Sequence, residues 1–550
     1  MNSLIKKNIY LIFFVLILLL STFLRFYKLG INPPSLDWDE ASIGYNAYSL
    51  LKTGADEYGN KLPLDIRSFD DYKPPVYIYL DVVSVWAFGL NEFGVRFPAA
   101  LFGVLSVAVL YFLVKELFND WDKDKREKLA LIGAFFLGVS PWHLQFSRAA
   151  FEGNVGLFFF MLGLLFFLKG LKNPKLAILS VISFSLSIYS YHSFLLIAPL
   201  FFLVLIIFFW KEMLKDKKYY FLALLIGALF AFPVFLSFTS TSGSSSRFSM
   251  VSLFASPNIL TTSIKELEYD KSHGDFIGEA FHNRRVVYFL DTAKAYFDHW
   301  NPDFLFFHGD GGRQHHAVDM GMLYLWDFPF ILIGIYYLFK NKTKRNLLVA
   351  VVFLLAPLPA AVSTGTPHPV RAIAMVPGFV IFASLGAYFV FLDGKKRIKK
   401  ILLTVGIVLF VVNFAYYLHQ YYVDTPVFFG DFWQYGNKEA LAQARSLEGK
   451  YQKIIYTYTY DQPYIYYLFY NKIDPSWYQK NWDYLKTGKT ERMRRVIGKY
   501  EFRNINWGKD SQLKNTLLIG SPSEIPEDAK GIIKTVYFLD GSVAFRIVGT

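Results

Sequence analysis

The chain has 550 residues, 54% of them hydrophobic, and its 57 Lys and Arg exceed its 44 Asp and Glu for a net charge of +13. This hydrophobic content exceeds what a soluble chain of this length needs and predicts a polytopic membrane protein. The absence of Cys excludes disulfides, thiol nucleophiles and Cys-ligated metals. Because the basic residues gather in short clusters between apolar runs, we interpret them as cytoplasmic anchors and expect no nucleic-acid partner.

Long apolar runs predict a mainly α, polytopic fold with about eleven transmembrane helices. The first run follows two lysines and has no small-residue cleavage motif after it, so we expect a retained anchor with a cytoplasmic N-terminus. The predicted spans are 8–24, 97–117, 129–146, 155–169, 176–191, 193–210, 219–237, 323–340, 346–362, 372–392 and 400–418.

Residues 76–90 decide the predicted topology, because a crossing there would move every later loop to the other side. Without that crossing all the lysine clusters fall in the cytoplasm, as the positive-inside rule requires. We therefore predict an amphipathic helix on the outer membrane surface. The outer segments are then 25–96, a first extracytoplasmic loop with surface helices, the turn 147–154, a long loop over 238–322, the turn 363–371 and everything after 418.

Composition predicts two domains, a transmembrane domain over 1–420 and a small extracytoplasmic α/β domain over 421–550. In the second domain, alternation over 453–460 predicts a strand and 463–470 a helix. An apolar strand is expected over 515–520, and a final hairpin around 539–542.

Acids and a lysine are concentrated in the first outer loop, in Leu36-Asp37-Trp38-Asp39-Glu40 and then Tyr72-Lys73-Pro74-Pro75. An acidic pair and a lysine at a bilayer surface suit a reaction between a lipid-borne phosphate and a hydroxyl or amine. Alternatively, the acids cap a helix that begins near Ala41, and Asp37 could supply that cap and leave Asp39 free. The alternative for Lys73 is a snorkelling interfacial lysine.

These motifs, followed by the run Gly94 to Gly103, resemble the GT-C glycosyltransferases related to protein O-mannosyltransferases and lipid A aminoarabinose transferases. The resemblance covers roughly 1–420 and is weak after it, and it makes 1–420 the catalytic domain. It implies an inverting transfer of a sugar from a polyprenyl-phosphate donor to a lipid, glycan or protein acceptor, on the extracytoplasmic face of the plasma or inner cell membrane.

The resemblance also implies roles for single residues. Asp39 occupies the position of the catalytic base, and a carboxylate beside the bilayer can have its pKa raised toward the working pH. Glu40 is expected to orient Asp39 or to bind the acceptor. Lys73, held by the two prolines that follow it, is expected to bind the donor phosphate.

Further candidates lie at later outer turns. Glu152 could be a second catalytic carboxylate, as relatives often place an acid near this point, or it could form a structural ion pair with Arg148, itself a candidate for phosphate binding. His368 and Arg371 place an imidazole and a guanidinium where a phosphate headgroup would lie. The alternative for this pair is anchoring at the outer face.

The long outer loop carries Arg313, His315 and His316 in a glycine-rich segment, which we interpret as a substrate-facing or gating loop. Asp310 with the two histidines could instead ligate a divalent metal ion, the one cofactor we consider. Adjacent histidines point apart on a strand and are about 100° apart on a helix, so a metal is the less favoured interpretation.

Two other functions are weighed against a transferase. A lipid or polysaccharide transporter would show broken helices or mid-membrane charges in paired halves, but the sequence has no internal repeat. A non-catalytic membrane sensor would carry its information in the C-terminal domain and would tolerate loss of Asp39.

Overall fold

The computed structural model describes residues 3–69, 71–239, 252–255, 259–393, 396–485 and 495–550. Parts of the predicted loop 238–322, namely 240–251 and 256–258, lie outside the described residues. The chain divides into two compact units. The first unit comprises Met1–Arg25, Leu101–Ser147 and Phe151–Tyr417, and the second comprises Phe26–Ala100, Arg148–Ala150 and Leu418–Thr550.

The described residues are predominantly helical, which confirms the predicted mainly α fold class. In the first half of the chain the helices are α1 (Ser3–Phe26), α2 (Trp38–Thr53), α3 (Pro75–Phe88), α4 (Glu92–Leu117), α5 (Lys123–Val139), α6 (Pro141–Phe146), α7 (Glu152–Gly170), α8 (Leu176–Ile188), α9 (Ser193–Met213), α10 (Lys217–Thr239) and α11 (Ile259–His273). The later helices are α12 (Phe276–Phe281), α13 (Arg284–Asp298), α14 (Asp327–Lys340), α15 (Lys344–Leu355), α16 (Leu358–Ala361), α17 (Val376–Phe391), α18 (Lys396–His419), α19 (Thr425–Phe428), α20 (Asn437–Leu447), α21 (Pro463–Tyr470), α22 (Pro475–Leu485) and α23 (Trp507–Asp510).

Seven helical stretches among the described residues are long and apolar enough to cross a membrane, as expected for a multi-pass membrane protein. They contain eight of the eleven predicted spans, because one stretch of 42 residues holds two of them. The other three predicted spans form the shorter helices α5, α8 and α14. The stretches are Asn8–Phe26, Glu92–Leu117, Glu152–Gly170, Ser193–Val234, Lys344–Ala361, Ile373–Phe391 and Lys400–Phe428.

The segment that decides the predicted topology forms the helix α3. It begins at Pro75, because proline fits the first helical position, and its C-cap is Gly89 at φ 81°. Its 14 residues reach about 21 Å, short of the roughly 30 Å hydrocarbon core. One face exposes Val83 and Trp86. The predicted helix is confirmed, whereas its place on the outer membrane surface, like the orientation of the chain, stays a prediction.

The C-terminal part of the second unit contains a six-stranded sheet, which confirms the predicted α/β character. The central β3 is parallel to β5 and β6, whereas the outer pairs β4/β5, β6/β8 and β7/β8 are antiparallel. The sheet order is β4-β5-β3-β6-β8-β7, with β3 (Lys453–Tyr456), β4 (Arg495–Ile497), β5 (Tyr500–Phe502), β6 (Thr516–Gly520), β7 (Ile532–Tyr537) and β8 (Val543–Gly549). A separate hairpin joins β1 (Ile66–Ser68) to β2 (Asp71–Lys73).

The second unit packs the helix α2 against α21 of the C-terminal segment. Gly44 makes the close approach possible, since a Cβ there would lie 2.5 Å from Val95 and 2.6 Å from Phe469. Tyr45 donates a hydrogen bond to the carbonyl of Ile473 at 3.1 Å, which adds a polar link. This unit therefore takes residues from both sides of the predicted boundary at 420, and the division into 1–420 and 421–550 stays a prediction.

Candidate active site

The acidic motif Asp37 to Glu40 forms the N-terminus of α2. Asp37 is the N-cap and accepts a hydrogen bond from the Glu40 amide at 2.8 Å, while Glu40 accepts one from the Asp37 amide at 3.3 Å. This is a capping box, which satisfies two amides at the helix start. The helix accordingly begins at Trp38, before the expected Ala41. Asp37 supplies the cap, so Asp39 is not needed for it.

Glu40 is buried and bound on both carboxylate oxygens. Oε1 accepts hydrogen bonds from Arg96 Nε at 2.9 Å and from the Ala150 amide at 2.8 Å, and Oε2 accepts one from Arg96 Nη2 at 2.8 Å. The guanidinium of Arg96, itself fully buried, also donates to the carbonyls of Pro33 and Ser35. Bidentate geometry of this kind makes a strong ion pair. Glu40 therefore fixes the start of α2 to the segments around it.

Asp39 is the exposed acid of this motif. Its side chain is 49% exposed, and Oδ1 accepts a hydrogen bond from Lys73 Nζ at 2.8 Å, whereas the lysine side chain is 5% exposed. Lys73 ends β2 and is followed by the two prolines that start α3. The result is a half-exposed carboxylate that is bound by a buried ammonium.

Burial sets the charge of two further acids in this unit. It raises the pKa of Asp37 well above its usual value, with Glu40 and Asp39 as the next causes. It also raises the pKa of Asp81, on α3, where Glu40 adds to the effect. Both shifts favour the neutral form of these two acids.

Arg148 also belongs to the second unit, where it is buried. Its Nε donates to the Tyr421 hydroxyl at 3.0 Å, and its Nη2 donates to the carbonyls of Tyr27 at 2.7 Å and Asn32 at 3.0 Å. The guanidinium lies 5.1 Å from the ring centre of Tyr422. These contacts join three stretches of the chain through one side chain.

The other predicted residues lie in the first unit, where Glu152 begins α7. The next residue, Gly153, lies against Val370, since a Cβ at Gly153 would be 3.0 Å from Val370 Cγ1. The start of α7 therefore packs on the segment 363–371, which carries His368 and Arg371. Neither of the roles expected for Glu152 is tested by these contacts.

His315 and His316 lie beside the same segment. His315 Nδ1 is 2.7 Å from Asp310 Oδ2, and the His315 ring centre is 5.1 Å from that of His368. His316 Nε2 contacts the backbone carbonyl of Asp310 at 2.9 Å, so the two histidines use different atoms of this residue. Arg313 is exposed. Within the described ranges, no group of three or more His, Asp or Glu side chains could hold a metal ion.

Within segment 363–371, Arg371 folds back on its own turn. Its Nη1 donates to Ser363 Oγ at 2.7 Å and to the Thr364 carbonyl at 2.8 Å. The amide of His368 donates to Nε2 of His299 at 3.0 Å. His299 was not among the residues predicted from the sequence, although a histidine directly after a helix is a visible signal. The sequence does not indicate that its hydrogen-bond partner is the amide of His368, which lies 69 positions later.

Comparison with known proteins identifies the fold. Residues 72–236 match the family described as dolichyl-phosphate-mannose-protein mannosyltransferase. The structure is similar to that of ArnT from Cupriavidus metallidurans bound to undecaprenyl phosphate, with a TM-score of 0.53 and 13% identity over 97% of each chain. The chain has the GT-C fold. The resemblance to GT-C proteins stated from the sequence is thereby confirmed.

Two further similarities agree with the GT-C fold. The oligosaccharyltransferase of Archaeoglobus fulgidus in its apo form has a TM-score of 0.50 at 14% identity, over 81% of this chain and 59% of that one. The Bacillus subtilis (strain 168) protein named "Putative mannosyltransferase YkcB" is 26% identical over 174 residues. That alignment spans 31% of this chain and only 22% of the relative. The roles of the individual site residues therefore stay predictions.

Proposed function

We propose that this protein is an inverting glycosyltransferase that moves a sugar from a polyprenyl-phosphate donor to an acceptor hydroxyl or amine on the extracytoplasmic face of the cell membrane. The observation that carries the proposal is the contrast within the acidic pair. Asp39 is half-exposed beside a buried lysine, whereas Glu40 is buried and bound by Arg96 and the Ala150 amide. Only an acid that reaches a substrate can remove its proton.

In this reaction Asp39 accepts the proton of the acceptor while the acceptor oxygen or nitrogen attacks the anomeric carbon of the sugar. The bond between that carbon and the phosphate oxygen breaks, and its electron pair leaves with the polyprenyl phosphate. A single displacement inverts the anomeric centre. Lys73 donates a hydrogen bond to Asp39 and holds it in place, and we propose that its ammonium group also contacts the donor phosphate.

For the leaving phosphate we propose His368 and Arg371 of the first unit as binding residues. Both lie on one short segment, and a guanidinium and an imidazole stabilise developing negative charge on phosphate oxygens. Glu152, at the start of α7 beside this segment, is proposed as a supporting acid. Arg313, His315 and His316 are proposed to face substrate. To Arg148 we assign a structural role, because its donors are directed to Tyr421 and to two backbone carbonyls.

The proposal is tested by transfer from a panel of polyprenyl-phosphate sugars to lipid, glycan and peptide acceptors, using the purified protein. Asp39→Asn is expected to lower kcat by about 10²- to 10⁴-fold, the usual contribution of a general base. Asp71→Asn, two residues before Lys73 on β2, is the matched control and is expected to keep its activity. Full turnover by a folded Asp39→Asn protein would reject Asp39 as the base, and the absence of transfer with every donor would reject the proposed activity.

A further inference from the structure

His299 lies directly after α13 and is fully buried. Its Nε2 is 3.0 Å from the amide nitrogen of His368, and its Nδ1 is 2.8 Å from the carbonyl oxygen of Ala295. The ring also packs edge-on against Phe304, with 5.9 Å between ring centres. Both ring nitrogens are therefore used by the backbone.

These two partners fix the protonation state of His299. A backbone amide can only donate and a backbone carbonyl can only accept, so Nε2 must be the acceptor and Nδ1 must carry the hydrogen. That is a neutral imidazole in one tautomer. A second proton on Nε2 would point at the N–H of His368 and remove the hydrogen bond.

The surroundings favour the neutral form. Burial lowers the pKa of His299 below its usual value, and Arg371 lowers it further, against opposing effects of the Ala295 carbonyl and of Asp298. The other titratable groups nearby are His368, in direct contact, and His315, whose ring centre lies 5.1 Å from that of His368. Protonation of His299 therefore requires a pH below the ordinary range for histidine.

A second bond joins the same two parts of the chain. The hydroxyl of Thr366 donates to Asp298 Oδ2 at 3.1 Å. The end of α13 thus holds the segment 363–371 at Thr366 and at His368, but only the bond at His368 depends on a neutral imidazole.

We propose that His299 is a positioning residue: in its neutral form it fixes the segment 363–371, and its protonation loosens that segment and weakens donor binding. The part about donor binding rests on the proposed function, in which His368 and Arg371 bind the donor phosphate. The part about the segment does not depend on it.

The segment is tested by hydrogen exchange of peptides covering 364–371 in the full-length protein, at about pH 4.5 and about pH 7.5, with correction for intrinsic exchange. The wild type is expected to lose about fivefold in protection at the lower pH, the equivalent of one hydrogen bond. In His299→Gln the amide oxygen can still accept from His368 but does not titrate, so protection should be the same at both pH values. His299→Ala should lack this protection at both.

Thr366→Val is the matched control, because it removes the neighbouring bond and leaves His299 intact. It should lower protection at both pH values and keep the wild-type pH dependence. If His299→Gln keeps the full pH dependence of the wild type, or if His299→Ala is as protected as the wild type, the positioning role is overturned.

Donor binding is tested with the same variants by the KM for the polyprenyl-phosphate sugar. The wild-type KM should rise about fivefold at the lower pH, while the KM of His299→Gln should not rise. If exchange follows the expectation and KM does not, the link to donor binding is wrong and the positioning of the segment stands. If no donor supports transfer, the proposed function fails, and the exchange experiment still decides the role of His299.

Discussion

The buried pair of Glu40 and Arg96 gives a quantitative test of how the second unit is held together. Glu40→Gln keeps the shape of the side chain but offers one acceptor oxygen where the carboxylate offers two, and it turns an NH₂ group toward buried donors. Arg96 is 0% exposed, so its charge would lose its partner away from water. Breaking a buried pair in this way costs about 3–5 kcal/mol. Asp39→Asn, by contrast, keeps an amide oxygen that can accept from Lys73 and changes a side chain that is 49% exposed, so it should cost less, about 1 kcal/mol.

The assay is hydrogen exchange of peptides within α2, which reports the free energy of opening this unit. Glu40→Gln should speed exchange of the most protected amides roughly 200- to 5,000-fold, against about fivefold or less for Asp39→Asn. Adding Arg96→Met to Glu40→Gln should recover part of the loss, because no buried charge remains. Equal opening free energies for the two single variants would refute the assignment of Glu40 as the structural acid and Asp39 as the accessible one.

Two other predictions concern the same unit and use the same exchange measurement. Gly44→Ala should destabilise it by about 1–3 kcal/mol, because the new Cβ would meet the Phe469 ring at 2.6 Å, whereas Gly449→Ala, in open space, should change it by about 0.5 kcal/mol or less. Burial raises the pKa of Glu57 from 4.5 to about 8, against a lowering effect of Arg495. Because the folded state holds this proton more tightly than the unfolded chain, stability should fall as the pH rises from 4.5 through about 8. Glu57→Gln should remove that slope, and an unchanged slope would contradict the assignment.

The sequence predicted the helices, the helix cap and the strands that depend on local residue patterns. Apolar runs predicted the long helices, and Asp37 was recognised as a residue that could cap α2 and leave Asp39 free. Alternation and turn residues predicted β3, β6 and the hairpin of β7 and β8, but not β4 and β5, and β3 ends at Tyr456 and not at Tyr460. Directly after Tyr460 the chain has two residues with positive φ, Asp461 at 58° and Gln462 at 45°.

The sequence could not predict contacts between distant positions. Arg96 lies in the run Gly94 to Gly103, but no role was predicted for it, because its partner Glu40 lies 56 positions earlier. Glu40 was grouped with Asp39 as a catalytic acid because charge and order alone do not distinguish a buried acid from an accessible one. His299 was missed for the same reason, since nothing adjacent to it indicates that it binds the amide of His368.

The second unit is assembled from three separated stretches of chain, and this has a consequence for biosynthesis. Residues 26–100 emerge first, but the helix that covers Gly44 belongs to the last stretch, several hundred residues later. At ordinary rates of translation that interval is roughly tens of seconds. During this interval, the face of α2 that packs against Phe469 in the folded protein is not yet covered by α21. A chain that ended before Leu418 would lack the helix that packs over Gly44, so this face of α2 would stay uncovered.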